Sequence, residues 1–136
     1  MTLKLEVVTP KGRVLDRTVD EVSLPGALGE FGVLEGHIPV LSALRAGVLS
    51  YIDKGKTEHL AVGGQGFAEV GGEKKVLVLT DLCMTRDEID ADMAKEELAD
   101  AQSSLDTYSG HADDTNYRRL QQQIEWAEAR LALLDH

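Results

Sequence analysis

The stretch Gly29-Glu30-Phe31-Gly32-Val33-Leu34-Glu35-Gly36-His37-Ile38-Pro39-Val40-Leu41 decides how this 136-residue chain is read. It belongs to a segment that holds nearly all the residues able to turn a backbone sharply. Twelve of the 13 glycines lie before residue 73, and all three prolines lie before residue 40. Beyond Gly72 only Gly110 remains, so the last third is free to form long helices while the first part must turn often. The pattern predicts a turn-rich β module followed by a helical hairpin.

Alternation supports the β part. Leu3, Leu5 and Val7 alternate with Lys4 and Glu6, and Val22 and Leu24 flank Ser23 before Pro25-Gly26. Further strands are expected at Gly47–Ile52, Glu58–Val62, Gly66–Val70 and Lys75–Thr80. Asp53-Lys54-Gly55-Lys56, Gly63-Gly64 and Gly71-Gly72-Glu73 punctuate them as hairpin turns. Val76-Leu77-Val78-Leu79 is apolar on both faces, which predicts an interior strand. Short strands at this spacing indicate an antiparallel sandwich or barrel, because no connection has room for a crossover helix.

Near residue 85 the period changes. Ala91, Ala94, Leu98, Ala101 and Leu105 recur at steps of three and four, as do Tyr117, Leu120, Ile124, Ala127, Leu131 and Leu134. Asp87 and Asp90 precede the first stripe and Asp113-Asp114-Thr115 the second, where carboxylates accept from unpaired N–H groups and suit the helix dipole. Ser109-Gly110-His111 supplies the break. The expected fold is therefore α+β: an N-terminal antiparallel β-sandwich or barrel over residues 1–85, then an antiparallel two-helix hairpin over residues 86–136.

Composition narrows the function. Residues 1–85 carry nine Lys and Arg against 11 Asp and Glu, whereas residues 86–136 carry five against 13. A net charge of −10 argues against nucleic-acid or anionic-lipid partners. The nearest thing to a long apolar run, residues 38–49, is broken by Ser42 and Arg45 and falls short of the ~20 residues that span a bilayer, so no membrane insertion is expected. No basic-then-apolar leader opens the chain, and the single Cys83 fits a reducing compartment. The four histidines lack cysteine partners at zinc spacing, so no metal is expected. Neither a phosphate-binding loop nor a dinucleotide fingerprint is present; Gly63-Gly64-Gln65-Gly66 is followed by a strand and reads as a hairpin turn or a bulge. The chain is not expected to be an enzyme.

The β part resembles the epsilon subunit of bacterial F-type ATP synthases. The resemblance is carried by Val7-Val8-Thr9-Pro10, by Leu24-Pro25-Gly26 running into Gly29–Leu41, and by Leu44-Arg45-Ala46-Gly47-Val48. Val62-Gly63-Gly64-Gln65-Gly66-Phe67-Ala68-Glu69-Val70 and Val76-Leu77-Val78-Leu79-Thr80-Asp81 complete it. It implies a non-catalytic central-stalk subunit that couples gamma to the membrane rotor ring of a proton-translocating synthase. The implied place is peripheral, on the cytoplasmic side of the bacterial cell membrane. Glu30 matches a loop carboxylate facing the ring's c subunits, and His37 the histidine of a Gly-His-x-Pro turn near gamma. Both are expected to project from a constrained loop at one edge of the sandwich.

The resemblance also implies a hairpin able to reach the alpha/beta catalytic head and regulate ATP hydrolysis. Some members bind ATP there through Ile/Leu-Asp-x-x-Arg-Ala. Here Ile89 and Asp90 match, but Met93 stands where the arginine belongs. Arg130 matches an arginine of the second helix, while Trp126 occupies the place of another. ATP binding is accordingly expected to be weak or absent, with no cofactor. Two other readings stand beside this one: an ATP-sensing ligand-binding domain, and an unrelated β-sandwich module such as a carbohydrate binder. Aromatics at 4% argue against the latter.

Overall fold

A computed structural model describes residues 2–36, 39–71, 74–110 and 114–136. Eight strands come first: β1 (Leu3–Thr9), β2 (Gly12–Val19), β3 (Glu21–Gly26), β4 (Gly29–Leu34), β5 (Val40–Leu44), β6 (Gly47–Asp53), β7 (Lys56–Gly71) and β8 (Lys75–Met84). A short 3-10 turn at Arg86–Glu88 leads into helices α1 (Ala91–Asp106) and α2 (Thr115–Leu134).

Hydrogen-bonded neighbours run β2-β1-β8-β7-β5-β3-β4, and β6 pairs with both β3 and β7. The ladders thus close on themselves, since β3 and β7 each join the same two strands, β5 and β6. Inward residues alternate as the pleat requires: Leu3, Leu5 and Val7 of β1, Val22 and Leu24 of β3, Leu49 and Tyr51 of β6, Val76 and Val78 of β8. This core contains no residue of either helix. The β6–β7 turn has Lys54 at φ 52° and Gly55 at φ 82°, the two left-handed residues that match the twist of a tight hairpin.

Four differences from the sequence reading have physical causes. Glu58–Val62 and Gly66–Val70 are halves of one strand, β7; its register shifts between Gly63 and Gly66 at a bulge, not a hairpin turn. Gly64 there sits at φ +73°. Second, β1 and β8 run parallel, with Leu5 opposite Val76 and Val7 opposite Val78, so the sandwich is antiparallel everywhere else among the described pairs. Third, β2 and β5 were not anticipated. Val19 is the only buried residue of β2 and Leu44 the only one of β5, so neither shows a strong alternating face. Fourth, Gly29–Leu34 is strand β4 and not a loop, its Val33 buried opposite Val22.

The helices begin where the acidic residues are. Asp90 caps α1 by accepting from the Met93 N–H at 3.1 Å, and Asp114 caps α2 by accepting from Asn116 at 2.8 Å. Helix α1 packs on α2, and α2 in turn lies on β6 and β7. Helix α2 is therefore buried on two sides toward its C-terminal end, at Ala127, Ala129, Arg130 and Leu133. The side chain of Trp126 lies over Gly63 so closely that a Cβ there would run into its ring.

Because the core is complete without the helices, residues 1–85 expressed alone are expected to give a β-type circular dichroism spectrum and dispersed amide resonances. A disordered spectrum would refute this division.

Candidate functional site

The outer faces of the sandwich differ in what they offer. On the β5-β7-β8-β1 side the register places Ala43, Phe67, Leu79 and Val8 in one row across four strands. Phe67 is 51% exposed and Leu79 46%, and Leu41, on the same face of β5, is 69% exposed. A shallow depression at the end of this row is lined by Val8, Thr9, Pro10, Phe67 and Leu79. Single exposed apolar residues are ordinary, but a row of them on one sheet face marks a surface made to be covered. Glu6, Glu69 and Lys75 stand around it as a polar border.

The β3-β6-β7 side carries a polar row. Ser23, Ser50 and His59 lie in register across the three strands. Glu30 of β4 joins this row by accepting from the Ser23 hydroxyl at 2.6 Å. It follows the two-residue tip Ala27-Leu28, where Leu28 is wholly exposed. Glu30 also lines a depression with Arg45, Ser50 and His136. His37 lies outside the described residues. Among the described residues before it, Glu35 pairs with Lys74 at 2.8 Å. That hydrogen bond from Lys74 holds the Glu35 carboxyl below its usual value.

The hairpin residues matched to a nucleotide site are otherwise engaged. Asp90 is the α1 cap, and the Ile89 N–H donates to the Arg86 carbonyl. Arg130 is 5% exposed; it pairs with Glu97 of α1, its Nε donates to the Trp126 carbonyl at 3.3 Å, and its guanidinium lies 5.2 Å from the Trp126 ring centre. The groove between the helices is lined by Glu97, Asp100, Ser104, Leu120, Gln123 and Trp126, and not by Ile89, Asp90 or Arg130. The residues thus do not converge on an open, electropositive pocket.

Cys83 packs against the sandwich core, and burial pushes its thiol up to about 11, which leaves little thiolate at neutral pH. Among the described residues no three histidine, cysteine or carboxylate side chains cluster as metal ligands, and no helix is long and apolar enough to cross a membrane. Sequence reading missed the apolar row. Its one available signal was the run Val76–Leu79, apolar on the outer face as well as the inner.

Comparison with known proteins gives this surface its context. Residues 2–85 match the family described as the ATP synthase, Delta/Epsilon chain, beta-sandwich domain. An ATP synthase epsilon chain of Geotalea uraniireducens is 43% identical over 129 residues, covering 95% of this chain and 91% of that one. That of Anaeromyxobacter sp. strain Fw109-5 is 46% identical over 105 residues, 77% of this chain and 78% of its own. Among solved structures, one titled as the OSCP/F1/c-ring of the Euglena gracilis mitochondrial ATP synthase contains a chain with TM-score 0.82 at 22% identity. The match covers 99% of this chain and 82% of that one. Another, the central stalk and c-ring of the Tetrahymena thermophila enzyme, gives 0.65 at 11% identity over 98% and 97% of the two chains. The fold, the hairpin and the sequence agree: this chain belongs to the ATP synthase epsilon chain family, a non-catalytic, peripheral subunit of the membrane-bound complex.

Proposed function

We propose that this chain works as a rotor subunit that seats gamma on the apolar row Ala43-Phe67-Leu79-Val8 and turns its Glu30 edge toward the c-subunit ring. The row carries the reading. Covering half-exposed Phe67 and Leu79 recovers a good part of the ~1.5–3 kcal/mol that each such side chain yields on full burial, enough to anchor an interface. Glu30, beside the exposed Leu28 tip, presents a carboxylate to polar loops of the ring, and His37 is assigned to the gamma contact by the resemblance alone. The subunit then transmits torque and does no chemistry of its own. Its place is the cytoplasmic side of the bacterial membrane, in a proton-driven enzyme.

Replacing Phe67 and Leu79 together with Glu is expected to weaken binding to purified gamma by about tenfold or more while leaving the circular dichroism spectrum unchanged. Unaltered affinity in the folded variant would remove this face from the interface.

The hairpin supports a modest regulatory role. Its excess of acidic residues disfavours approach to acidic segments of the alpha/beta head, and the Arg130–Glu97 pair and the Trp126–Gly63 contact favour the compact form. Deleting residues 86–136 from the assembled enzyme is expected to change ATP hydrolysis less than about twofold; a several-fold activation would assign inhibition to the hairpin.

Nucleotide binding is expected to be absent at micromolar ATP. Arg130 is held by Glu97, and Glu97 and Asp100 line the groove where phosphates would need cations. Calorimetric titration checks this, and micromolar heats would overturn it.

A further inference from the structure

The end of α2 meets the sandwich at a group of residues that the coupling role leaves unused. His136, just past the helix, stacks on His59 of β7, with ring centres 4.5 Å apart and planes tilted by 32°. His59 Nδ1 and the Ser50 hydroxyl of β6 are 2.7 Å apart, which fixes the first ring. Arg86, in the turn before α1, donates to the Leu134 carbonyl at 3.1 Å and to the His136 carbonyl. Three groups able to carry positive charge thus gather where the last turn of α2 rests on the sheet.

We propose that His136, stacked on the His59 imidazole, forms with it a pH-sensitive clamp, holding the last turn of α2 on β6 and β7 while the His59 ring is neutral and releasing it when mild acid protonates that ring.

The surrounding groups fix the sign. Around His59 stand the uncharged Ser50 hydroxyl from β6, Glu58 on its own strand, Arg86 from the turn and His136 from the end of α2. His136 shares its depression with Glu30 and Arg45 and follows Asp135. Burial, then His136, then Arg86 lower the proton affinity of the His59 ring, and Glu58 alone opposes them, as the smallest influence. A free imidazole titrates near ~6.5, so the released form takes up protons more readily than the clamped one. The contribution to docking is therefore complete above that pH and falls as pH drops below it. A stack serving packing alone would show no such dependence.

Amide exchange along α2 in the full chain, corrected for the intrinsic pH dependence of exchange, reads the opening directly. Emission from Trp126, the chain's single tryptophan and seated against Gly63, gives a second readout. Between pH 7.5 and 5.5 opening of residues Ala129–Leu134 is expected to rise at least about threefold, with a red shift of Trp126. The dependence should vanish in His59→Gln and shrink in His136→Gln, which removes the stacked partner but leaves His59 buried beside Arg86. His136 is exposed beyond the helix, so its variant decides the matter even if His59→Gln fails to fold. A flat profile in the native chain, or an unchanged one in folded His136→Gln, overturns the clamp.

Discussion

Everything in this molecule leans on one strand being allowed to change partners in the middle. The first half of β7 pairs with β6, from Lys56 opposite Asp53 to Val62 opposite Gly47; its second half pairs with β5, from Gly66 to Val70. The shift occurs across Gly63-Gly64-Gln65-Gly66, where Gly64 takes a left-handed conformation and the Asp81 carboxylate accepts from the Gln65 N–H at 3.0 Å. A regular strand would keep one register and one neighbour, and the ladders could not close. The same absence of side chain at Gly63 gives Trp126 its seat. One kink in the backbone thereby closes the sandwich and docks the hairpin.

The kink also divides the exterior. Helix α2 covers the outer side of β6 and the first half of β7, where Ser23, Ser50 and His59 make a polar row. The outer side of β5, β8 and the second half of β7 stays open and carries Phe67 and Leu79. The polar face is satisfied within the chain, through Ser23 with Glu30 and His59 with Ser50. The apolar face is not, and an isolated subunit leaves it in water. That asymmetry is what one expects of a part shaped for assembly and not of a self-sufficient domain.

Much of this was legible in the residues. Alternation in β1, β3 and β6 was readable because each buries one face more deeply than the other, and the acidic caps marked both helix starts at Asp90 and Asp114. Glycine was read less well. Gly63-Gly64 looked like a turn because a bulge and a hairpin ask the same of a backbone, and Gly29–Leu34 looked like a loop although Gly32 needs no left-handed φ. The run Val76–Leu79 is an interior strand as its two apolar faces indicate, between β1 and β7, but local sequence does not say whether the cover of its outer face comes from the same chain or another. The Arg130–Glu97 pair joins residues 33 positions apart and leaves no local trace, so that an arginine matched to a ligand also ties the two helices together was not legible in the sequence.

The parallel pairing of β1 with β8 bears on how the chain comes to be folded at all. The first strand made is hydrogen-bonded to the last strand of the sheet, Leu5 facing Val76 across seventy-odd positions of sequence. Until β8 emerges, the apolar edge of β1 has only the exposed hairpin with β2 to shelter it. Contacts of such separation demand closure of a long loop before they return any stabilisation, which slows formation of β-rich domains. A nascent chain therefore leaves the inner face of the β1–β2 hairpin unprotected until β8 is made. The acidic helices arrive only after β8 has closed it, too late to shield that face while the sandwich is incomplete.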